Sequence, residues 1–204
     1  MDFANSKKIL PSILKNLNKK HDHELSLSVS DGFTVTCRSG SVENIEYHQD
    51  TMMNVIVYSD HRKGTASTNN LSNDSINDAI AKAETISKNT QPDECQGLPD
   101  EDYTKVDSKD LDIYFPQDLD IASIIELANE CEDTAFKTDK RIANSEGSSF
   151  TYSKNFNSIM NTKGAYGSFK STDYSLSCIV LAEENKLMER DYWYSSSRDY
   201  SNLQ

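Results

Sequence analysis

No stretch of this sequence is apolar for long enough to cross a bilayer. The longest apolar runs, such as "MMNVIVY" and "CIVLA", are strand-sized, whereas a membrane helix needs about 20 consecutive apolar residues. The opening segment, "MDFANSKKILPSILKNLNKK", lacks the unbroken apolar core and small-residue cleavage site of a signal peptide. The expected setting is cytoplasmic, with no membrane contact. Positive charge is also scarce: 21 Lys and Arg stand against 33 Asp and Glu, a net charge of −12. General nucleic-acid binding needs basic surface to displace counterions from phosphates, so that class is excluded. The four cysteines, Cys37, Cys95, Cys131 and Cys178, lie tens of residues apart and form no C-x-x-C pair. That argues against a zinc site or disulfide framework built from them alone. In a reducing compartment they read as small core residues, Cys131 and Cys178 foremost. Also missing are H-E-x-x-H, G-x-S-x-G, a Walker loop and G-x-G-x-x-G.

What is present is a soluble-protein composition, 36% apolar and 26% charged over 204 residues. That length can bury a real core and favours one domain, or two small ones. An amphipathic helix is expected to open the chain, with Ile13, Leu14 and Leu17 on one stripe and Pro11 in its first turn, where no backbone donor is lost. "ELSLSVSDGFTVTCRSG" then alternates with period two. A bulged hairpin with a three-residue turn and Gly32 in the left-handed region would pair Val29 with Phe33 and Leu27 with Val35, keeping one apolar face. "SVENIEYHQ" and "MMNVIVYS" read as two further strands, the second apolar on both faces as in a central strand. "GTAST" reads as a short strand.

The period then changes. Ile76, Ala79, Ile80, Ala83 and Ile86 mark a helix with Ser72 as N-cap and Leu71 stapling to Ile76. A polar, proline-punctuated, acidic connection follows, and a second helix runs from Ile121 to Phe136 with Ile121, Ile124, Ala128, Cys131 and Ala135 inward. Strands return from Ser148 onward. Segregated blocks of this kind predict an α+β fold of mostly antiparallel strand blocks separated by helices, with a long acidic loop between the two central helices. The expected division is residues 1–90, a connecting loop over 91–120, and residues 121–204.

Candidate chemistry is sparse. In the closing hairpin a three-residue turn at Glu184-Asn185-Lys186 would set Ala182 opposite Met188 and Cys178 opposite Tyr192. Glu183, Glu189 and Asp191 would then share the other face with Ile179 and Leu181. Three carboxylates there could hold a hard cation; the preferred reading is a solvated face balanced by Arg190, Arg198 or Lys186. His21-x-His23 would put both rings on one side of an extended segment, but a catalytic metal site wants three protein ligands and an open position. His48 and His61 lack partners at recognisable spacing. "HRKG" is a local positive spot, read as a strand-connecting turn. No catalytic, cofactor-binding or metal residue is assigned.

Four stretches taken together, "GFTVTCRSGSVENIEYHQD", "VYSDHRKGTASTNNLS", "DKRIANSEGSSF" and "LAEENKLMERDYWYS", resemble the amino-terminal half of the TldD/PmbA metallopeptidase family. The likeness is closest to its PmbA (TldE) branch and spans about Glu24 to Gln204 in consistent order. The resemblance implies a cytoplasmic PmbA-like subunit that pairs with a TldD-like subunit, the heterodimer cleaving small unstructured polypeptides in a closed channel. It implies zinc in the TldD-like partner, held by a histidine and glutamate helix motif that this sequence lacks, so this chain would form chamber wall or partner contact. Gln204 would then be a break near the middle of the protein, with the carboxy-terminal half absent. The alternative is a stand-alone acidic protein-binding domain, or a vestigial fragment without hydrolytic activity.

Overall fold

The structure, a computed structural model, describes residues 3–17, 20–100 and 110–203. In chain order these form α1 (Phe3–Asn16), β1 (Asp22–Arg38), β2 (Ser41–Ser59), β3 (Arg62–Thr68), α2 (Asn73–Asn89), α3 (Ile121–Thr138), β4 (Ile142–Asn161), β5 (Tyr166–Glu184) and β6 (Leu187–Ser197). A short 3-10 turn at Tyr200–Asn202 closes the described chain. The strands make one six-stranded antiparallel sheet in the order β3-β2-β1-β4-β5-β6. The expected α+β class is therefore observed. Residues 101–109, the middle of the expected acidic loop, lie outside the described residues.

The residues divide into two compact units. The first comprises Met1–Ser30, Asp50–Leu111 and Phe156–Lys170. Its core joins Leu25, Leu27 and Val29 of β1 to Met53, Val55 and Val57 of β2, Leu10 of α1, Phe156 of β4, and Ile76, Ala79 and Ala83 of α2. Each fully buried aliphatic side chain contributes roughly 1.5–3 kcal/mol to folding. The Ser72 hydroxyl caps α2 by accepting from Ser75 N at 3.3 Å. Leu71 packs on the same cluster as Ile76, while Ile86 stays exposed. Gly64 of β3 lets α2 approach closely, because a Cβ there would lie 2.0 Å from the Ala83 carbonyl oxygen.

The second unit comprises Asp31–Gln49, Asp112–Asn155 and Ser171–Gln204. Here Phe33, Val35 and Cys37 of β1 pack with Phe150 and Tyr152 of β4, Tyr174 and Leu176 of β5, and Ile124 and Ala128 of α3. Tyr152 and Tyr174 stack with centroids 4.8 Å apart, and the Tyr174 hydroxyl donates to the Phe115 carbonyl at 2.6 Å. Asp120 caps α3, accepting from Ser123 N at 3.0 Å. Those hydrogen bonds, from the backbone and side chain of Ser123, hold its carboxyl below the usual range.

Four expectations need correction. First, Asp31-Gly32 is not a turn: β1 runs straight through it, and Gly32 is not in the left-handed region. Val29 and Phe33 are both odd-numbered, so a continuous strand buries them as well as a hairpin would. Glycine is there for space, since a Cβ would meet the Tyr152 carbonyl oxygen at 2.0 Å and His48 Nε2 at 2.9 Å. Second, Pro11 lies inside α1 rather than in its first turn. The apolar stripe starts upstream at Ile9 and Leu10, which pack on the core with Ile13, Leu14 and Leu17. That packing offsets the backbone donor that proline removes, a loss of about 3 kcal/mol in an unsupported helix. Third, "SVENIEYHQ" and "MMNVIVYS" are one strand, β2, beside the edge strand β3. Only Met53, Val55 and Val57 bury fully, and Met52 is exposed, so the segment is covered on one face. Fourth, the closing hairpin has a shorter loop, described below.

Substituting Gly32→Ala should lower stability by about 3 kcal/mol or more, because backbone must move to admit the methyl group. Gly40→Ala, at φ +72 in open space, should cost only the left-handed strain of about 1–2 kcal/mol. Urea unfolding of the two variants checks this, and equal costs would contradict the close approach at Gly32.

Candidate functional site

The most exposed apolar surface in the second unit is the hairpin of β5 and β6. Its register pairs Glu184 with Leu187, Ala182 with Glu189, Val180 with Asp191 and Cys178 with Trp193. The loop is therefore two residues, Asn185-Lys186, at φ 52 and 68. Left-handed values at both positions match the right-handed strand twist, as in a type I′ turn. This corrects the expected three-residue turn, and it shifts β6 by one residue. Cross-strand pairs share a face, so Ala182, Val180 and Cys178 lie with Leu187, Glu189, Asp191 and Trp193. Glu183, Leu181 and Ile179 lie opposite, with Met188, Arg190 and Tyr192. The trio Glu183, Glu189 and Asp191 is thereby split between two faces and does not converge.

On the face carrying Val180 and Ala182 is an open cleft of about 490 Å³, lined also by Ile142, Leu187, Glu189 and Asp191. Arg141 enters it, donating from Nε to Asp139 Oδ1 at 3.0 Å and from Nη2 to Asp139 Oδ2 at 2.7 Å. That forked contact holds the Asp139 carboxyl at about 2. Arg141 Nη1 lies 3.7 Å from Glu184 Oε2. On the other face Arg190 makes a forked pair with Glu146 at 2.8 and 2.9 Å. The expectation that arginines balance this hairpin is met by Arg190, while Arg198 instead pairs with Asp173 at 2.6 Å. Trp193, Leu187 and Met188 are 80%, 72% and 62% exposed. An apolar surface of this kind with a charged surround suits contact with another polypeptide.

The histidines do not form a centre. His21 precedes β1, and His23 is fully buried in it. His23 Nδ1 lies 2.9 Å from the His21 carbonyl; a carbonyl can only accept, so the ring proton is on Nδ1. Nε2 has no hydrogen-bond partner, with Glu84 Oε1 3.9 Å away. His61 forms the β2–β3 turn with Asp60, both at positive φ, as the turn reading of "HRKG" expected. Among the described residues no group of three or more His, Cys, Asp or Glu side chains could hold a metal ion. The metal that the family resemblance implies therefore does not fit the described part of this chain.

Two features escaped sequence reasoning. Glu132 of α3 is buried, accepting from the Ser145 hydroxyl and from Gly40 N at 3.4 Å. Its place four residues after Ala128 and eight after Ile124 put it on the apolar stripe, which was the available signal. Cys37 is fully buried as well, whereas Cys131 is only partly covered.

Burial lowers the His23 pKa below 6.5, outweighing the opposing pull of the His21 carbonyl and of the Glu84 and Asp22 charges. The unfolded chain then binds a proton that the folded chain refuses. Stability should be flat above the unfolded value and fall as pH drops through 6.5 toward the lower folded value. His23→Gln should flatten that limb of the urea midpoint against pH; an unchanged profile would show that His23 does not set it.

The domain description "PmbA/TldA metallopeptidase domain 1" matches residues 23–87, and "PmbA/TldA metallopeptidase central domain" matches residues 114–203. The Metalloprotease PmbA of Escherichia coli O157:H7 is 39% identical over 186 residues, covering 91% of this chain and 41% of that protein. A Metalloprotease PmbA homolog of Haemophilus influenzae is 37% identical, covering 89% and 40%. This chain thus spans about two-fifths of the length of these relatives. A Bacteroides thetaiotaomicron crystal structure, of a "putative modulator of DNA gyrase", superposes with TM-score 0.88 at 25% identity over 100% of this chain and 47% of that one. TldE from Thermococcus kodakarensis has the same fold, with TM-score 0.65 at 13% identity over 97% and 44%.

Proposed function

Because this chain belongs to the PmbA/TldD metallopeptidase family, we propose that it is the amino-terminal portion of a PmbA-like subunit. In this reading the subunit pairs with a TldD-like subunit in the cytoplasm, and the pair cleaves small unstructured polypeptides. The observation that carries the proposal is the order and extent of the likeness, two family domains in sequence over 23–87 and 114–203 with relatives near 40% identity.

This chain's part is contact rather than bond cleavage. In this reading zinc sits in the TldD-like partner, where it would supply an activated water, and the described residues of this chain assemble no metal-ligand set of their own. The described side chains offer polypeptide-contacting surface instead: the edge strand β6, with Trp193, Tyr192 and Tyr194 exposed. An edge strand leaves backbone donors and acceptors free to pair with an extended peptide. The same exposed hairpin favours a second reading, a stand-alone protein-binding domain without hydrolysis.

The test is to purify the chain alone, the chain with a TldD-like subunit, and a form extended to the relatives' length with that subunit. Each is assayed on an unfolded polypeptide with and without a chelator. Cleavage is expected only from the extended pair, and the chelator should abolish it. Stable pairing with no cleavage from either pair would favour the binding reading, and cleavage by this chain alone would overturn both.

A further inference from the structure

The cleft beside the closing hairpin carries negative charge that the described residues leave unanswered. Strand β6 ends the sheet, with β5 on one side and no strand on the other among the described residues. Leu187, Glu189, Asp191 and Trp193 stand at alternate positions on its cleft face, all of them exposed. The arginines around them are committed elsewhere. Arg141 serves Asp139 and Glu184, Arg190 serves Glu146 on the opposite face, and Arg198 serves Asp173. Among the described residues no ion pair involves Glu189 or Asp191. Asp191 Oδ1 accepts from the Tyr192 amide at 2.8 Å, which leaves its charge unpaired.

The setting says what could answer that charge. A hard metal ion wants several convergent oxygen ligands, and no group of three ligating side chains is present among the described residues. A cationic side chain needs less. The cleft offers about 490 Å³, with Ile142, Val180, Ala182 and Leu187 in its lining. Apolar walls exclude water, so an ion pair there is stronger than on open surface. The free backbone of an edge strand supplies the means of delivery, since an extended peptide can pair with it. On a shared face, the residue directly across a strand pair lies about 5 Å away between Cβ atoms, where opposite charges attract. A peptide strand laid along β6 would therefore set alternate residues against Leu187, Glu189, Asp191 and Trp193 in turn.

We propose that the β6 edge selects extended peptide segments bearing Lys or Arg at two positions two residues apart, flanked on the same face by apolar residues. The paired cations meet Glu189 and Asp191, and the flanking apolar side chains cover Leu187 and Trp193. Residues between them point to the opposite face, where Arg190 is already held by Glu146 and a second cation gains nothing. The proposal rests on the reading that this chain contacts polypeptide, and it names the class of peptide. Register, rather than total charge, is what β6 reads.

The test is a titration of the native chain with short end-blocked peptides, followed by the emission of Trp193, the one tryptophan in the sequence. The first peptide carries two lysines separated by threonine, with threonine beyond each and then valine at one end and leucine at the other. The second has the same composition with the lysines adjacent, so that each falls on a different face. The third is the first with glutamate for lysine. Because the first two have equal charge, general attraction to an acidic protein cannot separate them. The first should bind roughly three- to tenfold tighter than the second, and the third should bind weakest. Substituting Glu189→Gln with Asp191→Asn, both at exposed positions, should bring the first two to equal affinity. Binding of the first should also slow hydrogen exchange at β6 backbone amides. Equal affinity of the two lysine peptides for the native chain would overturn the proposal while leaving peptide contact standing. A preference that survives the double substitution, or that comes without slowed exchange in β6, would overturn it too. Failure of all three to bind would overturn both the proposal and peptide contact at this edge, while pairing with a TldD-like subunit is decided separately by the cleavage assay above.

Discussion

The constraint on which the molecule depends is parity along one strand. In β1 the odd-numbered residues His23, Leu25, Leu27, Val29, Phe33, Val35 and Cys37 are buried, and no even-numbered residue is. A strand alternates faces with a strict period of two, so slipping by a single residue would expose every one of them. Both clusters draw on that strand, Leu25, Leu27 and Val29 in one and Phe33, Val35 and Cys37 in the other. Asp31 is the exception in the series, and its carboxylate pairs with Lys154 at 2.9 Å instead of burying. Gly32 beside it admits the neighbouring backbone. Polar and small residues at this point of β1 relieve crowding without altering the alternation.

That constraint also explains what could be read from the chain before its structure. The helices carried their own punctuation: Ser72 and Ile76 located α2, and the spacing Ile121, Ile124, Ala128 located α3. The alternation in β1 was equally visible. What misled was Asp31-Gly32, a pair that usually turns the chain but here serves packing between strands. Local sequence cannot separate a glycine needed for its backbone angle from one needed for its missing Cβ, because the second need arises from a residue far along the chain, Tyr152. Pro11 was misplaced for a related reason, since tertiary packing of Leu10 and its neighbours overrode a local helix rule. The closing hairpin failed by one residue of loop. The left-handed pair Asn185-Lys186 lacks the glycine that normally announces such a turn, and one residue was enough to move Glu189 and Asp191 to the opposite face.

The candidate surface was legible in part. The acids and aromatic residues near the end of the chain were visible as a group, and the structure arranges them as a hairpin with an arginine-braced cleft on one face. Which carboxylates stand together depended on register, so sequence alone could not decide it. Glu132 shows a different limit. A glutamate on an apolar helix stripe looks like a pattern error, and only the Ser145 hydroxyl and the Gly40 amide make its burial tolerable. Family likeness supplied what residue chemistry could not, membership of the PmbA/TldD metallopeptidase family for a chain whose described residues gather no metal-ligand set.

The two edges of the sheet are guarded very unequally. β3 is a seven-residue strand that opens with Arg62 and Lys63, a short charged border that discourages stray pairing. β6 is eleven residues long and carries Leu187, Met188, Tyr192, Trp193 and Tyr194 in the open. In a preparation of this chain without a partner, dispersal rests largely on mutual repulsion from its net charge of −12. Such repulsion reaches only about 8 Å at physiological ionic strength. The chain is in that sense a charge-stabilised colloid with one adhesive border, and salt or acid would weaken its dispersal well before either weakened its core.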